Sequence, residues 1–117
     1  MVKTINIDGR ELTLKATGMT PIIYSNEYPG EDMIVEMQRL MSANKNNDAI
    51  PPGLLEVLAK IAFVMARAGD PELEAKTWEE FLDGFDLLPI YELLPAVVEL
   101  WGMNSTSTST RKKVSGQ

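Results

Sequence analysis

The sequence contains no cysteine and no histidine. The first absence excludes disulfides, thiolate nucleophiles and cysteine metal sites. The second removes imidazole acid–base chemistry and a common metal ligand. Long apolar runs are missing too. The windows Leu54–Ala68 and Leu87–Trp101 are the most hydrophobic, but Glu56, Lys60 and Arg67 interrupt one and Glu92 and Glu99 the other. Each is shorter than the about 20 residues that cross a bilayer. The start, Met1-Val2-Lys3-Thr4-Ile5-Asn6, lacks the apolar stretch of a secretory signal. Positive charge is scarce, with 11 Lys and Arg against 17 Asp and Glu and a net charge of -6. That sign suits neither nucleic acid nor an anionic membrane surface. These absences predict a soluble chain that stays in the compartment where it is made, and they lean against an enzyme.

What is present suffices for one domain. The chain has 117 residues, 44% hydrophobic and 24% charged, which supports one core and is too apolar for an intrinsically disordered protein. Residues 2–16 read as a β-hairpin. Ile5, Ile7, Leu12 and Leu14 alternate around Asp8-Gly9, a dipeptide that favours a tight turn. A two-residue loop pairs Ile5 with Leu12 and a four-residue loop pairs it with Leu14. Both keep the four apolar residues on one face, whereas a three-residue loop splits them. An isolated hairpin is only marginally stable, so that face must lie on something else.

The rest, residues 20–103, is predicted to be helical. Thr20-Pro21 reads as an N-cap and first-turn proline opening a short helix through Ile22, Ile23 and Tyr24. Pro29-Gly30 ends it. A second helix is expected from Glu31 to about Ala43, with Met33, Ile34, Met37, Leu40 and Met41 as its apolar stripe. Asn44 to Ile50 is polar and reads as a mobile loop. The third helix, Leu54 to about Ala68, has apolar residues over so much of its circumference that it should be the central one. Gly69-Asp70-Pro71 stops it. Thr77-Trp78-Glu79-Glu80 has capping-box spacing and opens a short helix expected to bury Trp78, Phe81, Leu82 and Phe85. Leu88-Pro89 starts the last helix, with Ile90, Leu93, Leu94, Val97, Val98 and Trp101 inward, and Pro95 is expected to kink it or divide it in two. From Asn104 the chain is Ser/Thr-rich with Arg111-Lys112-Lys113 and no acid, which predicts a disordered tail over 104–117. Residues 1–103 then hold eight basic against 17 acidic residues, a net charge of -9. The fold class is α+β: a hairpin packed on four or five mostly short helices, then the tail.

No catalytic, cofactor or metal motif emerges; GxSxG, P-loop and dinucleotide fingerprints are all missing. Glu79, Glu80, Asp83 and Asp86 crowd one stretch. They read either as an oxygen-only Mg²⁺ or Ca²⁺ site or, since EF-hand spacing is missing, as a solvated acidic face beside buried aromatics. Three basic residues in the tail are too few for a nucleic-acid site and read as solubilising. Met33, Met37 and Met41 recur every four residues. Flexible thioethers at that spacing form either an adaptable partner-binding strip or gap-filling core.

One resemblance runs through these elements. Ile5-Asn6-Ile7-Asp8-Gly9-Arg10-Glu11-Leu12 and Gly18-Met19-Thr20-Pro21-Ile22-Ile23-Tyr24 are similar to the start of small tail assembly chaperones of long-tailed phages and prophages of Gram-positive bacteria. The central Leu58-Ala59-Lys60-Ile61-Ala62-Phe63-Val64-Met65-Ala66, then Trp78-Glu79-Glu80-Phe81-Leu82, resemble the same family in the same order. So does the closing Tyr91-Glu92-Leu93-Leu94-Pro95-Ala96-Val97-Val98-Glu99-Leu100-Trp101. Together they span about residues 3–103. The resemblance implies a non-enzymatic protein of the bacterial host cytoplasm. It would bind the tape-measure protein, keep it soluble while the tail tube polymerises, and be absent from the virion. A frameshifted long form would recruit tail-tube protein, and several copies along one client imply self-association. No cofactor, nucleic acid or membrane is implied. The competing expectation is a head–tail connector or other small subunit retained in the particle; a carboxylate hydrolase is the remote third class.

Overall fold

The computed structural model of the chain describes residues 1–7, 9–46, 50–86 and 91–102. Two strands, β1 (Val2–Ile7) and β2 (Arg10–Lys15), precede helices α1 (Thr20–Glu27), α2 (Met33–Asn46), α3 (Pro52–Gly69) and α4 (Trp78–Asp83). A further helix, α5, covers residues 93–102. The architecture is α+β, an antiparallel hairpin laid on helices. The tail, 104–117, and the expected start of the last helix at Leu88-Pro89 lie outside the described residues.

The hairpin takes the two-residue loop: Ile7 pairs with Arg10 and Ile5 with Leu12. Gly9 has φ +79, a region where L-residues are strained, and this is why the turn uses glycine there. Its N–H donates to Asn6 Oδ1 at 3.1 Å. This register buries Ile7, Leu12 and Leu14 on the helices, with Ile5 packed against that core. The opposite face carries Thr4 and Thr13, whose hydroxyls are 3.2 Å apart.

α3 is the helix around which the rest is arranged. Ten of its side chains are buried, among them Leu58, Ile61, Phe63, Val64 and Met65, and it packs on β2, α4, α1 and α2. Its last residue, Gly69, lies so close to β2 that an added Cβ would run into the Thr13 carbonyl. Glycine here answers a close approach of backbones, in addition to ending the helix.

Several local expectations change. Thr20 is the first residue of α1, and Met19 holds the cap position without a side-chain cap. The Thr20 hydroxyl accepts the Thr17 N–H at 2.8 Å, so it secures the turn before the helix. The real cap of α2 is Asp32, whose Oδ1 accepts the Ile34 N–H at 2.9 Å. α2 continues to Asn46, so Asn44, Lys45 and Asn46 are helical rather than loop; residues 47–49 lie outside the described residues. At α4 the capping box is half made and half displaced. Thr77 Oγ1 accepts the Glu80 N–H at 3.2 Å, but the Glu80 carboxylate accepts from the Lys76 N–H, one residue earlier than the reciprocal pattern. Phe81 is buried, while Trp78, Leu82 and Phe85 are only half-buried. Pro95 lies in the first turn of α5, where its missing N–H has no helical partner to lose, so it produces no kink there. Leu93, Leu94, Ala96, Val97 and Leu100 face the core, and Val98 and Trp101 pack against it.

The glycines of α3 supply a test. Gly69→Ala should destabilise the protein by about 1–3 kcal/mol through overpacking against Thr13. Gly53→Ala, with nothing near its built Cβ, should stabilise by about 0.4–1 kcal/mol. Urea denaturation of both variants checks the contrast.

Candidate functional site

The most concentrated polar chemistry lies where α1, α2 and α3 meet, and a turn puts it there. Glu31 N–H donates to the Tyr28 carbonyl at 3.1 Å, closing a four-residue turn with Pro29 second and Gly30 third at φ +89. Proline and a positive-φ glycine in those places are the requirements of a type II turn. The turn delivers Glu31 onto α3. Its carboxylate accepts from Tyr24 Oη at 2.9 Å and from Lys60 Nζ at 2.8 Å. Lys60 also pairs with Glu56 at 3.7 Å, and its ammonium lies 4.9 Å from the Tyr28 ring centroid and 5.8 Å from that of Trp78. Arg67 repeats the arrangement a little further along α3, pairing with Glu27 and lying over the Phe63 ring.

The electrostatics make this cluster a clamp. Burial pushes Glu31 up, but the hydrogen bonds from Lys60 and Tyr24 and the Lys60 charge outweigh it, so its pKa is lowered. Burial pulls Lys60 down, and Glu31 and then Glu56 more than restore it, so its pKa is raised. Tyr24 is raised by burial and then by its bond to Glu31. Tyr28 is raised to about 12, chiefly by burial. Each shift moves a group away from neutrality, so the cluster keeps one protonation state there and suits holding elements together better than passing protons.

The three methionines are divided by the fold. Met33 and Met37 are fully buried, with relative exposures of 1% and 0%, and belong to the common core with Leu40. Only Met41 reaches solvent, at 38%. The expected strip is therefore corrected: it does not form a continuous surface, because its first two members are buried in the common core. The large apolar side chains that face solvent among the described residues include Met19 at the cap of α1, Ile22 on α1, and Ile34, Val35 and Met41 on α2, besides Met1, Val2 and Tyr91. Sequence reasoning placed Ile34 inward and missed Val35. The signal was available in Met33-Ile34-Val35, since three successive helical residues span about 200° and cannot all face one core.

Glu79, Glu80, Asp83 and Asp86 are exposed, and no group of acids among the described residues is placed to hold a metal ion. An open groove of about 980 Å³ lies between β2, residues 69–75 and α4, with Glu11, Asp70, Glu72, Glu74, Glu80 and Asp83 on its walls. Arg10 ties one edge to the other: Nη1 donates to the Gly84 carbonyl at 3.0 Å and the guanidinium lies 5.1 Å from the Phe85 centroid. A smaller cleft, of about 340 Å³, is walled by Tyr28, Phe63 and Trp78 and rimmed by Glu27, Arg67, Lys76 and Glu79. No helix among the described residues is long and apolar enough to cross a membrane. Comparison with protein-family models, curated proteins and solved structures returned no match to this chain.

Two predictions follow from the clamp and the core. Glu31→Gln should cost about 1–2 kcal/mol near neutral pH, discounted for partial exposure. Because the folded pKa of Glu31 is lowered, its contribution is present above the unfolded carboxylate range and is lost as pH falls through the folded value. Lys60, Tyr24 and Tyr28 are raised, so their contributions are complete below about pH 10 and are lost as pH rises through their folded values. Denaturation curves at a series of pH values should show both flanks in the wild type and a weaker acid flank in Glu31→Gln. Separately, Met37→Glu should cost more than about 4 kcal/mol, since it places a charge in the core. Met41→Glu should leave the melting temperature within a few degrees, as read by circular dichroism.

Proposed function

We propose that the chain is a phage tail assembly chaperone. It binds the tape-measure protein reversibly in the cytoplasm of the bacterial host, keeps it soluble during tail-tube polymerisation, and is not retained in the virion. The observation that carries the reading is the collinear resemblance over about residues 3–103. A physical feature supports it: Ile22, Ile34, Val35 and Met41 stand exposed on α1 and α2, on a body whose first 103 residues carry a net charge of -9. A holder of an apolar helix needs such a surface to bind it and excess charge to keep the complex dispersed. Met41 supplies an adaptable contact, while Met33 and Met37 shape the helix from beneath. The role is binding without catalysis. Tail-tube protein enters through a longer, frameshifted form of the chain.

Co-expression supplies the test. The tape-measure protein encoded beside this gene should be largely insoluble alone and soluble with the wild-type chain. Val35→Glu with Met41→Glu should lower its soluble fraction by about tenfold while the variant itself stays folded. Mass spectrometry of purified virions should find no stoichiometric copy. A copy present in fixed number per particle would favour the head–tail connector reading.

A further inference from the structure

We draw no further inference here: the strongest candidate, the open acidic groove between β2, residues 69–75 and α4, rests on its carboxylates alone, with no buried unpartnered polar group among the described residues to point to a ligand.

Discussion

A helix that is apolar around most of its circumference has to be covered on nearly every side, and α3 imposes that constraint on this small domain. Its side chains from Leu54 to Ala66 are buried on several faces. The hairpin, α1, α2 and α4 are each too short or too narrowly apolar to persist alone, and each packs on it. This accounts for the close approach of Gly69 to β2: a strand laid across the end of a helix leaves no space for a side chain where backbones meet. It also explains why the methionines at 33 and 37 are interior. Both belong to the common core, and flexible thioether side chains adapt readily to the space that packed helices leave.

Covering a helix with short pieces leaves their orientation to be settled, and polar ties do much of that. The type II turn at 28–31 ends α1 and brings Glu31 to Lys60, so the α1–α2 junction is held to α3 by a charge pair. Arg67 with Glu27 makes a second tie between α1 and α3. Arg10 links the hairpin to the end of α4, and Lys3 pairs with Glu99 at 3.2 Å to link it to α5. Exposed pairs of this kind contribute little stability one by one. What each does in the fold is join two elements at a fixed point: α1 to α3, the α1–α2 junction to α3, and the hairpin to α4 and α5. Three of the cations, Arg10, Lys60 and Arg67, also lie over aromatic rings. The polar ties are thereby seated on the edge of the core.

Placed outside that frame, the solvent side of α1 and α2 combines apolar side chains with few acids, whereas the acids concentrate around α4 and residues 70–74. This division of surface chemistry is what the proposed function rests on: an apolar face for a client helix and an acidic remainder that keeps the complex dispersed. The clamp and the apolar face are separate in kind. One holds protonation states fixed and positions elements; the other is available for association.

The sequence by itself determined the hairpin, the identity of the central helix, and the breaks at Pro29-Gly30 and Gly69-Asp70-Pro71. Each rests on local chemistry: period-two alternation, apolar residues all round, and dihedral angles that only glycine and proline favour. The parity of Ile5, Ile7, Leu12 and Leu14 limited the hairpin loop to two or four residues, and the structure selected two. Tertiary structure decided the rest. Periodicity marks a stripe, but which of Met33, Ile34, Met37 and Met41 faces inward depends on where α3 lies, a question of packing that spacing cannot answer. The Thr20 hydroxyl and the Glu80 carboxylate had several N–H groups in reach, and the path of the preceding chain chose among them. Glu31 and Lys60, 29 residues apart in sequence, meet only because a turn and two packed helices bring them together. Nothing in local sequence could announce that contact.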